Sequence, residues 1–207
     1  MEAGARRAVL SDWAARLVVG TLFGMLSLNL LTDFVHTHRL TGLWMLISES
    51  LVVVMTVLRR RTQVVDRSLV TAVITGISLM GPSLVRAAAN HAMAPDTVTA
   101  LVSSIGLLVV IAGKFTLGRS FGIVPANRGV VMAGPYTVVR HPIYAGYLLT
   151  HLAFACANAT VWNVLVLVMS DTALVIRSRH EERLLARDSS YQSYCSRVQW
   201  HLVPGLY

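Results

Sequence analysis

What most constrains this chain is a succession of apolar runs, at 13–32, 41–58, 68–88, 98–117, 143–157 and 160–178, with the arginines gathered mainly in the gaps. A helix needs about 20 apolar residues to cross the roughly 30 Å hydrocarbon core of a bilayer. In lipid every backbone polar group must find its partner within the protein, which favours helices over open sheets. The expected fold is therefore all-α: a polytopic membrane bundle of about six transmembrane helices. The last two runs are separated only by "ANAT" and read as a C-terminal helical hairpin. Composition agrees, since 55% of residues are hydrophobic and 14% charged, against about 25% charged in ordinary soluble domains.

The net charge of +8 is distributed as topology signals, not as a phosphate-tracking surface. If the spans alternate, Arg6, Arg7, Arg16, Arg59–Arg61, Arg67, Arg119, Arg128, Arg140, Arg177, Arg179, Arg183, Arg187 and Arg197 share one side. Arg39 and Arg86 fall on the other. The positive-inside rule then puts both termini in the cytoplasm, with a bacterial inner membrane as the expected setting, membrane lipids as partners and no nucleic acid. Oligomeric state leaves no mark on the sequence. The start lacks a small-residue cleavage site after its first apolar run, so that run reads as a retained span. Cys156 and Cys195 give neither a disulfide framework nor metal-ligand spacing.

Two segments on the same expected face carry the interactive side chains. "GPYTVVRHPIYAGY" (134–147) places Tyr136, Arg140, His141 and Tyr144 at the mouth of the fifth run. Pro142 can open a helix but keeps the residue before it out of the α region, so Arg140 and His141 should sit on a bend. The connection 117–140 is long and glycine- and proline-containing, which favours an ordered functional loop over a plain helix. The tail begins "VIRSRHEERLLARDSSYQSYCSRV", where Arg177 and Glu181 share a helical face at i,i+4. An interfacial belt of tyrosines and arginines on headgroups accounts for the first segment about equally well, and a solvated helix accounts for the second.

Together the two segments resemble the isoprenylcysteine carboxyl methyltransferase family, small membrane methyltransferases that include phospholipid N-methyltransferases. The matching pieces are Gly134-x-Tyr136-x-x-x-Arg140-His141-Pro142-x-Tyr144-x-Gly146 and Glu181-Glu182-x-x-Leu185, with Tyr191, Tyr194, Val198 and Pro204 following. The resemblance covers 119–207. Residues 1–96 read as three N-terminal transmembrane helices, and 97–207 as a methyltransferase core of helix, cofactor loop, hairpin and cytoplasmic tail. The resemblance implies S-adenosylmethionine in a cytoplasmic pocket lined by Val130, Val131, Tyr136, His141, Pro142, Ile143, Tyr144 and Glu181. It also implies catalytic roles for Arg177 and Arg140, with Arg177 facing the acceptor. The implied reaction moves a methyl group to a lipophilic acceptor, a prenylcysteine-like carboxylate or another lipid. Membrane sterol reductases, which use NADPH, share the Arg-His-Pro-x-Tyr-x-Gly segment and remain an alternative, as does a non-enzymatic scaffold.

Some polar residues fall outside these motifs. Glu49, Lys114 and Asp171 lie within the runs, where a charge costs at least about 2.5–3.5 kcal/mol. Lys114 is expected to snorkel towards the cytoplasmic end or to pair with Asp171. A structural role is favoured for all three. Asp33, His36, His38 and His91 read as wet loops more readily than as a metal site. "NAT" at 158–160 fits a glycosylation sequon in a connection too tight to use it.

Overall fold

The computed structural model describes residues 2–58, 68–120 and 130–207, with side chains described for 20–51, 68–88, 90–118, 120 and 130–207. Among these residues the regular elements are all helical. They are α1 (Glu2–Thr37), α2 (Leu40–Leu58), α3 (Leu69–Met80), α4 (Asp96–Leu117), α5 (Pro142–Ala157), α6 (Val161–Leu185) and α7 (Ser189–Arg197). Asp96–Leu117 and Val161–Leu185 are long and apolar enough to cross a membrane, and Leu40–Leu51, Leu69–Leu84 and Pro142–Ala157 are shorter apolar stretches. Leu28, Leu101, Leu108, Phe115, Leu165 and Val168 stand exposed along α1, α4 and α6, the outward apolar face expected of a protein solvated by lipid.

The closest helix contact is between α4 and α5, and glycine makes it possible. A Cβ on Gly146 would lie 2.7 Å from the carbonyl of Gly106 and 2.7 Å from Val110 Cγ2. One on Gly113 would lie 2.7 Å from Ile143 Cγ1. Small residues of this kind let helix backbones approach without the water-driven term that packs soluble proteins. The contact fixes the start of α5 against α4, and with it the bend that precedes Pro142. A second core joins Leu26, Leu30, Met45, Leu46, Phe154, Val166 and Leu167 from α1, α2, α5 and α6 with Val85 from the segment after α3.

The third apolar run does not stay helical to 88. Helix α3 stops at Met80, a 3₁₀ turn covers Pro82–Leu84, and Val85 is extended. Pro82 has no N–H to continue the ladder. Backbone that leaves the helical ladder needs other hydrogen-bond partners, and three asparagines supply them. Asn29 Nδ2 donates to Val85 O (2.8 Å), Asn163 both accepts from Arg86 N (2.9 Å) and donates to Arg86 O (2.8 Å), and Asn158 Oδ1 accepts from Ala88 N (2.9 Å). This hairpin end also carries the α5–α6 connection, where Thr160 caps α6 by accepting from Asn163 N. Arg39 reaches across to Asp96 Oδ1 and to Ala157 O (2.7 Å). Asn158 is 2% exposed, so the sequon asparagine is committed to packing.

The opposite, tail end is where α6 runs on. Its 25 residues span about 38 Å, several ångströms more than a hydrocarbon core, and its last turns carry Arg177, Glu181 and Glu182. Helix α7 and residues 198–207 fold back over them.

Candidate functional site

The bend, the end of α6 and the tail meet at one place. The chain bends at 140–141, α5 begins at Pro142, and the bend is held by the tail: Arg140 N donates to Trp200 O (2.9 Å) and His141 N to His201 O (3.0 Å). Upstream, Gly134 adopts φ +55, a left-handed conformation that favours glycine, and a Cβ there would also strike Thr116 Oγ1 at 2.7 Å. A glycine is therefore needed twice over to lay the 3₁₀ turn Gly134–Thr137 against α4.

Two adjacent glutamates organise the side chains. Glu181 Oε1 accepts from Tyr144 Oη (2.8 Å) and pairs with Arg177 Nη2 (3.5 Å), while its Oε2 lies 3.8 Å from His141 Nδ1. Tyr144 is stacked with His141 on its ring, and the Arg177 guanidinium lies 5.4 Å from the ring centroid. Glu182 Oε1 is crowded by donors: His201 Nδ1 at 2.9 Å, Arg140 Nε at 3.2 Å, Tyr191 Oη at 3.3 Å and His141 Nε2 at 3.4 Å. Arg177 is 4% exposed and His141 8%, so these charges are held largely away from water, where an uncompensated ion would cost several kcal/mol.

The tail is clamped by tyrosines. Tyr136, Tyr191, Tyr194 and Val198 form a buried cluster, and Tyr194 Oη donates to Tyr136 O (2.7 Å). Burial pushes the Tyr194 phenol up to about 12. It raises Tyr136 and Tyr191 too, with the Glu181 and Glu182 charges adding respectively. These hydroxyls stay neutral donors across the physiological range.

Of the residues singled out in the sequence, Arg140, His141, Tyr144, Arg177 and Glu181 come together in one buried cluster. Tyr136, Val130 and Val131 belong to the tyrosine clamp beside it. Pro142 opens α5, and the Ile143 side chain is spent on Gly113 and the core around Val110 and Leu174. The segment 121–129, with Arg128, lies outside the described residues. Sequence reasoning gave no role to Glu182 or His201. Glu182 was visible as the second member of the Glu-Glu pair, but His201 is joined to it only through the folded tail and had no spacing to reveal it.

The polar residues of the apolar runs form a second cluster deeper in the bundle. Asp171 Oδ1 lies 2.6 Å from His151 Nδ1, and His151 Nε2 is 3.6 Å from Glu49 Oε1. Asp171 thus takes its partner on α5. Lys114 does not snorkel: it is 1% exposed, donates to Ser48 O (3.0 Å) and lies 5.0 Å from the Tyr147 ring centroid. Helix packing turns these groups inward, where two acids and two bases can offset one another. His36, His38 and His91 are exposed.

Residues 97–191, from α4 to the start of the tyrosine clamp, match the family model described as phospholipid methyltransferase. No curated protein matches the chain.

Proposed function

We propose that this chain, whose residues 97–191 belong to the phospholipid methyltransferase family, moves a methyl group from S-adenosylmethionine to a lipid acceptor at the tail end of the bundle. The coarse reading, a membrane methyltransferase acting on lipid-type substrates, follows from the family. The donor and the location of the site are our inference. The observation that carries it is Glu181, a largely buried carboxylate oriented through Oε1 by Tyr144 and Arg177.

The residues suit the donor molecule. S-adenosylmethionine bears a sulfonium, an ammonium and a carboxylate, and the cluster offers two glutamates together with Arg140, Arg177 and His141. The Arg140 guanidinium is paired with Glu182 through Nε at 3.2 Å, and its other N–H groups can offer a charge-assisted donor to a carboxylate. The cofactor when bound supplies an electrophilic methyl whose positive charge disappears as it leaves. Glu181 favours a cation beside it through its less engaged Oε2. Tyr144 acts through its hydroxyl, because its ring is already flanked by His141 and Arg177. The clamp of Tyr136, Tyr191 and Tyr194 holds the tail over the site and keeps water out. Arg177, one turn before Glu181 on α6, is our candidate for contact with the acceptor. Methyl transfer is a displacement in which alignment of the reacting groups can supply much of the catalysis, about 7–11 kcal/mol in favourable cases.

The matching topology has α1 to α6 crossing the membrane with both termini and the site in the cytoplasm, supported by the arginine distribution and the positive-inside rule. The acceptor is named directly by mass spectrometry of lipids after incubation with methyl-labelled S-adenosylmethionine. A labelled lipid formed by the wild type and lost in Glu181→Ala is the expected result. Turnover of NADPH with an unlabelled lipid pool would instead favour the reductase reading.

A further inference from the structure

One line of residues on the outer face of α6 changes chemistry within a single turn. Leu165, Met169, Thr172 and Ile176 are exposed along it. Steps of three and four residues stay on one face of a helix, and the next three steps bring Arg179, Arg183 and Arg187, all exposed. Arg187 sits in the turn that follows α6. Glu181 and Glu182, the acids of the same turns, face the other way, onto Tyr144, Arg177, Arg140 and His201. The tail sets an apolar edge beside this row. Leu202 N and Val203 N both donate to Tyr207 O (2.8 and 2.7 Å), closing a turn in which Gly205 takes φ +79. Arg179 Nε donates to Tyr207 Oη (2.9 Å), and its guanidinium lies 5.7 Å from the Tyr207 ring centroid. The turn is thus pinned to the arginines, and it leaves Trp200, Val203, Leu206 and Tyr207 exposed.

An apolar row that turns cationic, flanked by a tryptophan and a tyrosine, is what a helix presents where hydrocarbon gives way to headgroups. We propose that Arg179, Arg183, Arg187 and the exposed edge of residues 200–207 bind anionic phospholipid, and that this lipid secures the tail. Guanidinium forks match phosphate oxygens with paired hydrogen bonds, and one helical turn, about 6 Å, separates Arg179 from Arg183. Val203 and Leu206 supply the apolar contact that an interfacial segment makes with acyl chains. A zwitterionic headgroup would bring its own ammonium to the arginines. An anionic headgroup brings uncompensated negative charge, which cations close to a membrane surface attract. The surface is distinct from the cluster around Glu181, because residues two apart on a helix point in nearly opposite directions: Arg177 is buried and Arg179 exposed. It does not depend on the methyl-transfer reading.

The test places the full chain in nanodiscs of phosphatidylcholine, with or without phosphatidylglycerol, and follows chymotrypsin cleavage after Trp200 and Leu206. Phosphatidylglycerol should slow cleavage of the wild type at least about tenfold at low salt, and the protection should shrink as salt screens the charges. Arg183→Gln combined with Arg187→Gln should lose most of it, while the same pair changed to lysine should keep most of it. Arg179 is left unchanged in both variants because it also holds Tyr207. Helix content by circular dichroism confirms that the variants are folded. Equal cleavage of the wild type in the two kinds of nanodisc, or equal protection of the wild type and the glutamine variant, would overturn the proposal. Soluble polyglutamate that protects the tail as well as phosphatidylglycerol does would also overturn it, reassigning the surface to an acidic protein.

Discussion

The chain leaves the helical state at both ends of the bundle, and the two ends solve the resulting problem with different chemistry. At the hairpin end the freed backbone of 85–88 is satisfied by Asn29, Asn158 and Asn163, neutral amides that donate and accept at little electrostatic cost. At the tail end the freed backbone of 140–141 is satisfied by the carbonyls of Trp200 and His201. No side chain is needed there. The charges of Arg140, His141, Arg177, Glu181 and Glu182 thus exceed what the backbone demands. Buried charge without a structural need is weak evidence for stability and better evidence for a charged ligand.

Exchanging side chains at the two ends should therefore have opposite consequences. The largest effect on stability is expected from Asn163→Ala, which strips partners from Arg86 N, Arg86 O and Asn158 O in a site with 0% exposure. A loss of about 3 kcal/mol or more follows if each buried group forfeits about 1–3, measurable by unfolding in mixed micelles. Ligand affinity of the fraction that stays folded should hardly change. Tyr144→Phe should do the reverse. It removes the hydroxyl that orients Glu181 and should weaken S-adenosylmethionine binding about tenfold, or 1.4 kcal/mol, with a smaller change in unfolding than Asn163→Ala.

A smaller effect should come from Tyr194→Phe, which deletes one hydrogen bond to Tyr136 O and should loosen the tail by about 1 kcal/mol. Limited proteolysis after α7 would read it. The same contact sets an alkaline limit. The Tyr194 phenol rises from an ordinary 10.0 to about 12 when docked, so the docked tail holds its proton more tightly than the free tail. That contribution is complete below about pH 10 and is lost as pH rises towards 12. Tyrosinate absorbance and proteolysis should change together across that window, while the hairpin end, held by amides, stays protected.

The helices were legible in the sequence because apolar runs of bilayer length leave the chain few alternatives, and Pro142 marked the bend by its local sterics. The break after Met80 was harder to see. Apolar residues continue through Leu84 and Val85, and the asparagines that permit the break come from α1 and the α5–α6 hairpin, up to 77 residues away. Lys114 was misread for a related reason. Its depth suggested a short reach to the rim, whereas its position on α4 turns it towards Ser48 and Tyr147. At the tail end, Arg140, His141, Tyr144, Arg177 and Glu181 could be picked out because they lie in two compact segments. His201 could not, since only the fold of the tail returns it to Glu182.

The most direct measurement is calorimetric titration of S-adenosylmethionine and S-adenosylhomocysteine into the detergent-solubilised wild type and Glu181→Gln. The two ligands differ by the methyl group and the positive charge on sulfur. If Glu181 faces the sulfonium, both should bind the wild type, and Glu181→Gln should weaken the methyl donor several-fold more than the uncharged product. Absence of binding by either ligand to folded wild type, or equal loss for both in the variant, would contradict a sulfonium site at Glu181.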